Sequence, residues 1–142
     1  MNHKIVILLA TYNGEKYIKE QLDSILLQTY SNIEVIARDD MSNDKTLEIL
    51  KSYNINIVKS IENLGVKKSF SELLNYASRN SNSDYFMFCD QDDIWEKRKI
   101  ELTLRKMLEM EKKSPSIPIL VHTDLNVVDS CLNIIDNSMW TY

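Results

Sequence analysis

Two groups of carboxylates stand out by where they fall. Asp39-Asp40 follows the apolar run that starts at Ile33, and Asp90-Gln91-Asp92-Asp93 follows Tyr85-Phe86-Met87-Phe88-Cys89. Crowded carboxylates repel, and a protein tolerates them when a cation sits among them or when hydrogen-bond donors saturate them. A hard divalent ion that prefers oxygen ligands, magnesium or manganese, suits such a cluster. A single Asp ahead of a helix can equally be an N-cap. Three acids within Asp90 to Asp93 exceed what one cap requires. The chain has only two glycines, Gly14 and Gly65, so it cannot form a glycine-rich phosphate loop. A bound cation is then the natural means of neutralising a diphosphate.

The elements that must position these acids read as strands alternating with amphipathic helices. Ile5 to Ala10 is uniformly apolar, as a central parallel strand is. Tyr17, Ile18, Leu22, Ile25 and Leu26 then form one helical stripe, with Asn13 placed to cap it. A second strand runs from Ile33 to Ala37 or Arg38, and Ser42 or Asn43 is placed to cap the helix carrying Leu47, Ile49 and Leu50. Ile55 to Val58 reads as a third strand, followed by Asn63-Leu64-Gly65 and a helix with Val66, Phe70, Leu73, Leu74 and Ala77 on one face. Tyr85 to Cys89 is the fourth strand. A long helix after it carries Ile94, Trp95, Ile100, Leu104, Met107 and Leu108, and Ile119-Leu120-Val121 reads as a further strand. The expectation is an α/β fold with a mostly parallel sheet. Both acidic groups then share the carboxyl edge of that sheet, where such folds place ligands.

Composition narrows the classes further. The chain has 142 residues and a formal charge of −4 without a Lys/Arg cluster, which gives nucleic acid no electrostatic footing. Cys89 and Cys131 are too few for a cysteine zinc site, and they point to reduced thiols in a cytosolic setting. The early apolar run is far shorter than a membrane span, so a soluble protein is expected. Trp95 is read as a core anchor, His122 as a partly buried hydrogen-bonded side chain, and Lys67 and Lys68 as a solvated helix start.

Ala10-Thr11-Tyr12-Asn13-Gly14, the Asp39 to Thr46 segment, Asn63-Leu64-Gly65 and Asp90-Gln91-Asp92-Asp93, in that order at successive strand ends, resemble the family 2 glycosyltransferases of the GT-A fold. The Asp-Gln-Asp-Asp-Ile-Trp form is most similar to bacterial rhamnosyltransferase-type members. The resemblance implies a Rossmann-like three-layer sandwich, with residues 1–142 forming its nucleotide-sugar-binding portion. It implies that Ala10, Thr11, Tyr12, Asp39, Asp40, Asp90 and Gln91 hold the donor, Asp40 accepting from the ring N–H of the base. Asp92, with Asp90, would hold manganese or magnesium under the diphosphate, Asp90-Gln91-Asp92 being the family's DxD motif. One departure is Met41, where the family usually has glycine.

The implied activity is metal-dependent, inverting transfer of a sugar from a nucleoside-diphosphate-sugar to a saccharide or lipid-linked acceptor in surface polysaccharide synthesis. A cytoplasmic location follows from the resemblance, with peripheral association at the inner membrane face. The catalytic base of the family lies in an acceptor-binding half beyond the DxD motif. That half is expected to fall outside this chain, leaving Asp124 as a weak candidate and Asp129 a weaker one. Two rivals remain: a magnesium-dependent phospho-acceptor domain of receiver or dehalogenase type, and a non-catalytic sugar-nucleotide-binding module.

Overall fold

The structure, a computed structural model, describes residues 2–141. The chain divides into a unit ending at Arg98 and a second starting at Lys99. In the first, the apolar runs form four parallel strands, β1 Ile5–Thr11, β2 Ile33–Asp39, β3 Asn56–Val58 and β4 Tyr85–Cys89, in the order β3-β2-β1-β4. The helices are α1 Ile18–Leu26, α2 Thr46–Lys51 and α3 Val66–Asn80.

Strand alternation distributes β1 over two helical layers. Val6, Leu8 and Ala10 join Ile36 of β2 against Leu73 and Ala77 of α3. Leu9 pairs with Cys89, and the Cys89 Sγ accepts a hydrogen bond of 2.7 Å from Gln21 Nε2 of α1, so α1 covers the other face. α2 packs beside α1. Because both faces are covered, every residue of β1 is buried. Each large aliphatic side chain there contributes roughly 1.5–3 kcal/mol of burial.

The strand order decides where a ligand can enter. The chain passes from β1 to β2 and β3 on one side, then returns to lay β4 on the other side of β1. Connections therefore diverge at the carboxyl ends of β1 and β4, the switch point at which open α/β sheets leave a crevice.

The second unit holds α4 Lys99–Lys113 and an antiparallel pair, β5 Val127–Val128 with β6 Ile134–Asp136. The strand expected at Ile119-Leu120-Val121 does not form: these residues lie in no ladder, and Leu120 is 79% exposed. An apolar run specifies a strand only where a neighbour offers an edge, and Pro118 has no N–H to donate to one. Ile94 and Trp95 precede α4 rather than belonging to it, although Trp95 is buried as expected. Of the residues assigned to apolar stripes, Tyr17, Leu26, Val66, Leu74 and Ile94 are exposed. His122 is exposed rather than partly buried, and its ring lies 5.5 Å from that of Trp140.

The expected caps are also replaced. Neither α1 nor α2 has a side-chain N-cap bond; Asn13 and Ser42 instead join the β1–α1 loop to the β2–α2 loop. Asn13 N donates to Ser42 Oγ, Asn43 N to Asn13 Oδ1, and Gly14 N to Thr46 Oγ1. Polar side chains that could serve their own helix thus find donors on the neighbouring loop, fixing two strand ends together.

Candidate functional site

At the switch point an open cleft of about 390 Å³ is lined from both acidic groups. Ala10 and Thr11 end β1 and Tyr12 follows them, Asp40 directly follows β2, and Asp90, Gln91 and Asp92 directly follow β4. The segment before α3 and its first turn contribute Asn63, Gly65, Val66 and Ser69. Of the residues anticipated at the donor and metal sites, Asp39 alone is not in this lining.

Alternation along β2 separates the two adjacent aspartates. Asp39 is the last residue of the strand and pairs with Thr11; its Oδ1 accepts from Thr11 Oγ1 at 3.0 Å and from Ser42 Oγ, and its Oδ2 from Ser42 N at 3.0 Å. Arg38 and Asp40 turn the opposite way, toward α3. There Asp40 Oδ1 receives Arg38 Nη1, while Leu64 N and Gly65 N donate to its carboxylate at 2.8 and 2.7 Å. Burial pushes the Asp40 carboxyl up, but the two amides and the guanidinium outweigh it and hold the group below the usual carboxylate range. The Asp39-Asp40 pair is therefore the donor-saturated kind of acidic cluster.

Asp90 and Asp92 are the other kind. Neither carboxylate receives a hydrogen bond or an ion pair among the described residues. Asp90 is open to solvent, yet the cleft walls remove part of its hydration, and that loss with the charge of Asp92 raises its pKa. Among the described residues no three His, Cys, Asp or Glu gather as a ready metal cage. Two free carboxylates still fit a magnesium- or manganese-like ion, which keeps several waters and takes its remaining ligands from a bound phosphate.

Gln91, between them, has its carboxamide turned onto the main chain of Tyr12. Tyr12 N donates to Gln91 Oε1 at 2.8 Å, and Gln91 Nε2 donates to Tyr12 O at 3.1 Å. The segment after this motif is anchored to α1 and to the turn that follows it: Trp95 N donates to Ser24 Oγ at 3.0 Å, and Gln28 Nε2 donates to Glu96 O at 2.8 Å. Met41 adopts φ 67°, the left-handed conformation that glycine would accept freely. Asp124 lies in the second unit, where Leu125 N and Met139 N donate to its Oδ1. A bond from Ser138, opposed by burial and joined by these amides, lowers its pKa. Asp129 likewise organises its own turn with Asn133.

Sequence reasoning did not assign roles to Arg38, Asn63, Gly65 or Ser69. A charged residue interrupting the apolar run of β2 was the available signal for Arg38. The loop after β3 was the signal for Asn63 and Gly65, and Ser69, inside the first turn of α3, had none.

A parallel sheet covered by helices on both faces, with its cleft at the carboxyl edge, is the fold of the GT-A glycosyltransferases. The chain belongs to glycosyl transferase family 2, whose sequence model matches residues 6–124. It is 42% identical over 100 residues to the dTDP-rhamnosyl transferase RfbG of Shigella flexneri, an alignment covering 66% of this chain and 34% of that protein. The fold is similar to S. aureus TarS 1–349 in complex with UDP, with TM-score 0.63 and 24% identity, covering 88% of this chain and 41% of that one. It is also similar to the mannosyltransferase PcManGT of Pyrobaculum calidifontis in complex with GDP-Man and Mn2+, with TM-score 0.62 and 24% identity, covering 78% of this chain and 33% of that one. The chain spans between 16% and 37% of the length of the curated relatives it matches. Among the described residues no helix is long and apolar enough to cross a membrane.

Proposed function

We propose that residues 1–142 are the donor-binding portion of an inverting glycosyltransferase that moves a sugar from a nucleoside diphosphate to a saccharide or lipid-linked acceptor in surface polysaccharide synthesis, on the cytoplasmic side at the membrane face. The observation that carries this reading is the free Asp90/Asp92 pair in one cleft with Tyr12, Asp40 and Asn63. The Mn2+ and nucleotides named for the PcManGT and TarS complexes support it.

In this reading the exposed ring of Tyr12 and the Asn63-Leu64-Gly65 wall receive the nucleoside. Asp40 acts chiefly by holding that wall, because Arg38, Leu64 and Gly65 already occupy its oxygens. Asp92, with Asp90, would hold the divalent cation. When bound, the cation stabilises charge developing on the departing diphosphate, an electrostatic contribution larger in the transition state than in the ground state.

The test is thermal unfolding with uridine, thymidine and guanosine diphosphates, each with and without manganese. One of them should raise the Tm in a manganese-dependent way, and Asp92→Ala should remove that dependence. No shift with any nucleotide overturns the reading.

A further inference from the structure

The middle residue of the acidic motif reaches from the end of β4 to the loop after β1, and its side chain faces an atom-sized gap that only glycine leaves open. The β1/β4 ladder ends at Leu9 and Cys89. Beyond it, the Gln91 carboxamide makes one accepted and one donated bond with the main chain of Tyr12, as a neighbouring strand would. The amide lies against Gly14: a Cβ there would sit 2.7 Å from Gln91 Cδ, closer still to Oε1, and the three nearest atoms it would meet all belong to Gln91. Gly14 itself is buried, and its N–H is held by Thr46 Oγ1 at 2.7 Å, so the loop has little freedom to withdraw.

We propose that Gln91 is a positioning residue for the nucleotide site: it acts through the main chain of Tyr12, fixing the aromatic rim relative to the Asp90/Asp92 pair, rather than by touching the nucleotide. This rests on the donor-binding reading above and deepens it. The bracket needs both functions of the carboxamide. A carboxylate at this position keeps the acceptor for Tyr12 N but sets an oxygen against Tyr12 O, and a methionine of similar length keeps neither bond. The bonds lie at the surface, so water satisfies the freed groups and the fold survives their loss; what is lost is the placement of the ring.

The experiment is a double-mutant cycle on Gln91→Ala and Tyr12→Ala, read as the Kd of the nucleoside diphosphate that stabilises the unchanged chain, in manganese. Gln91→Ala is expected to weaken binding about tenfold at nearly unchanged Tm, and to have no further effect once the Tyr12 ring is gone. Losses that simply multiply mean that Gln91 meets the nucleotide by itself, and they overturn the proposal. Gly14→Ala, which displaces the amide without altering it, should reproduce the Gln91→Ala loss and be silent in the Gln91→Ala background; an additional loss there also overturns it. Amide hydrogen exchange at Tyr12, measured without ligand, separates the bracket from the reading of the site. Faster exchange in Gln91→Ala supports the bracket even if no nucleotide binds, and unchanged exchange refutes it.

Discussion

Arg38, near the end of β2, and Asp40, just beyond it, form an ion pair with side chains only 4% and 5% exposed. The guanidinium also donates to Ser69 Oγ in the first turn of α3 and to the carbonyl of Glu62, and the carboxylate receives the amides of Leu64 and Gly65. One buried pair thus fastens β2 to the 62–65 loop and to α3, the elements that form one wall of the cleft.

Breaking this pair from one side leaves a charge buried without its counter-ion. Arg38→Met is expected to destabilise the protein by about 3 kcal/mol. Urea unfolding would measure it, and a cost below about 1 kcal/mol would mean that water reaches Asp40 in the native state.

The pH dependence of stability should carry the signature of Asp40. Its folded-state pKa is lowered, so the native state binds fewer protons than the unfolded chain, and the resulting stability is present above the ordinary carboxylate range. It is lost as pH falls through the folded value. Asp40→Asn should flatten the acid limb of a Tm-against-pH curve, and an unaltered limb would contradict the assignment.

Asp90 should behave with the opposite sign. Its pKa is raised by lost hydration and by Asp92, so in metal-free protein stability declines as pH rises from the ordinary carboxylate value through the raised one. Asp90→Asn removes that decline and leaves the cation-free protein slightly more stable, by less than about 0.5 kcal/mol because the group faces solvent. Calorimetry in chelator across the mildly acidic range, together with manganese titration showing weakened binding, checks both halves.

Two turn positions test backbone strain apart from packing. Gly65 has φ 74° and ψ 163°, a conformation essentially reserved for glycine, and open space where a Cβ would go, so Gly65→Ala should cost about 1–3 kcal/mol through conformation alone. Met41 has φ 67° and an exposed side chain, so Met41→Gly should stabilise by about 0.5 kcal/mol, the relieved strain exceeding the added freedom of the unfolded chain. Equilibrium unfolding of the two variants gives opposite signs if strain governs both.

What the sequence determined by itself was the succession of parallel strands and the placement of acids at their ends. Uniform apolar runs can be satisfied only between two helical layers, and polar residues that follow them must emerge at the sheet edge. The four parallel strands and the meeting of Asp40 with Asp90 and Asp92 in one cleft were legible on that ground. Tertiary structure alone decided which of those acids were already partnered. That depends on donors from distant segments, such as Leu64 and Gly65 for Asp40 and Ser42 for Asp39, and on a strand alternation that turns neighbouring side chains to opposite faces. It also decided that Gln91 would close on Tyr12 beside a bare Gly14, and that Ile119 to Val121 would form no strand, because hydrogen-bond pairing belongs to two segments at once and neither segment encodes its partner.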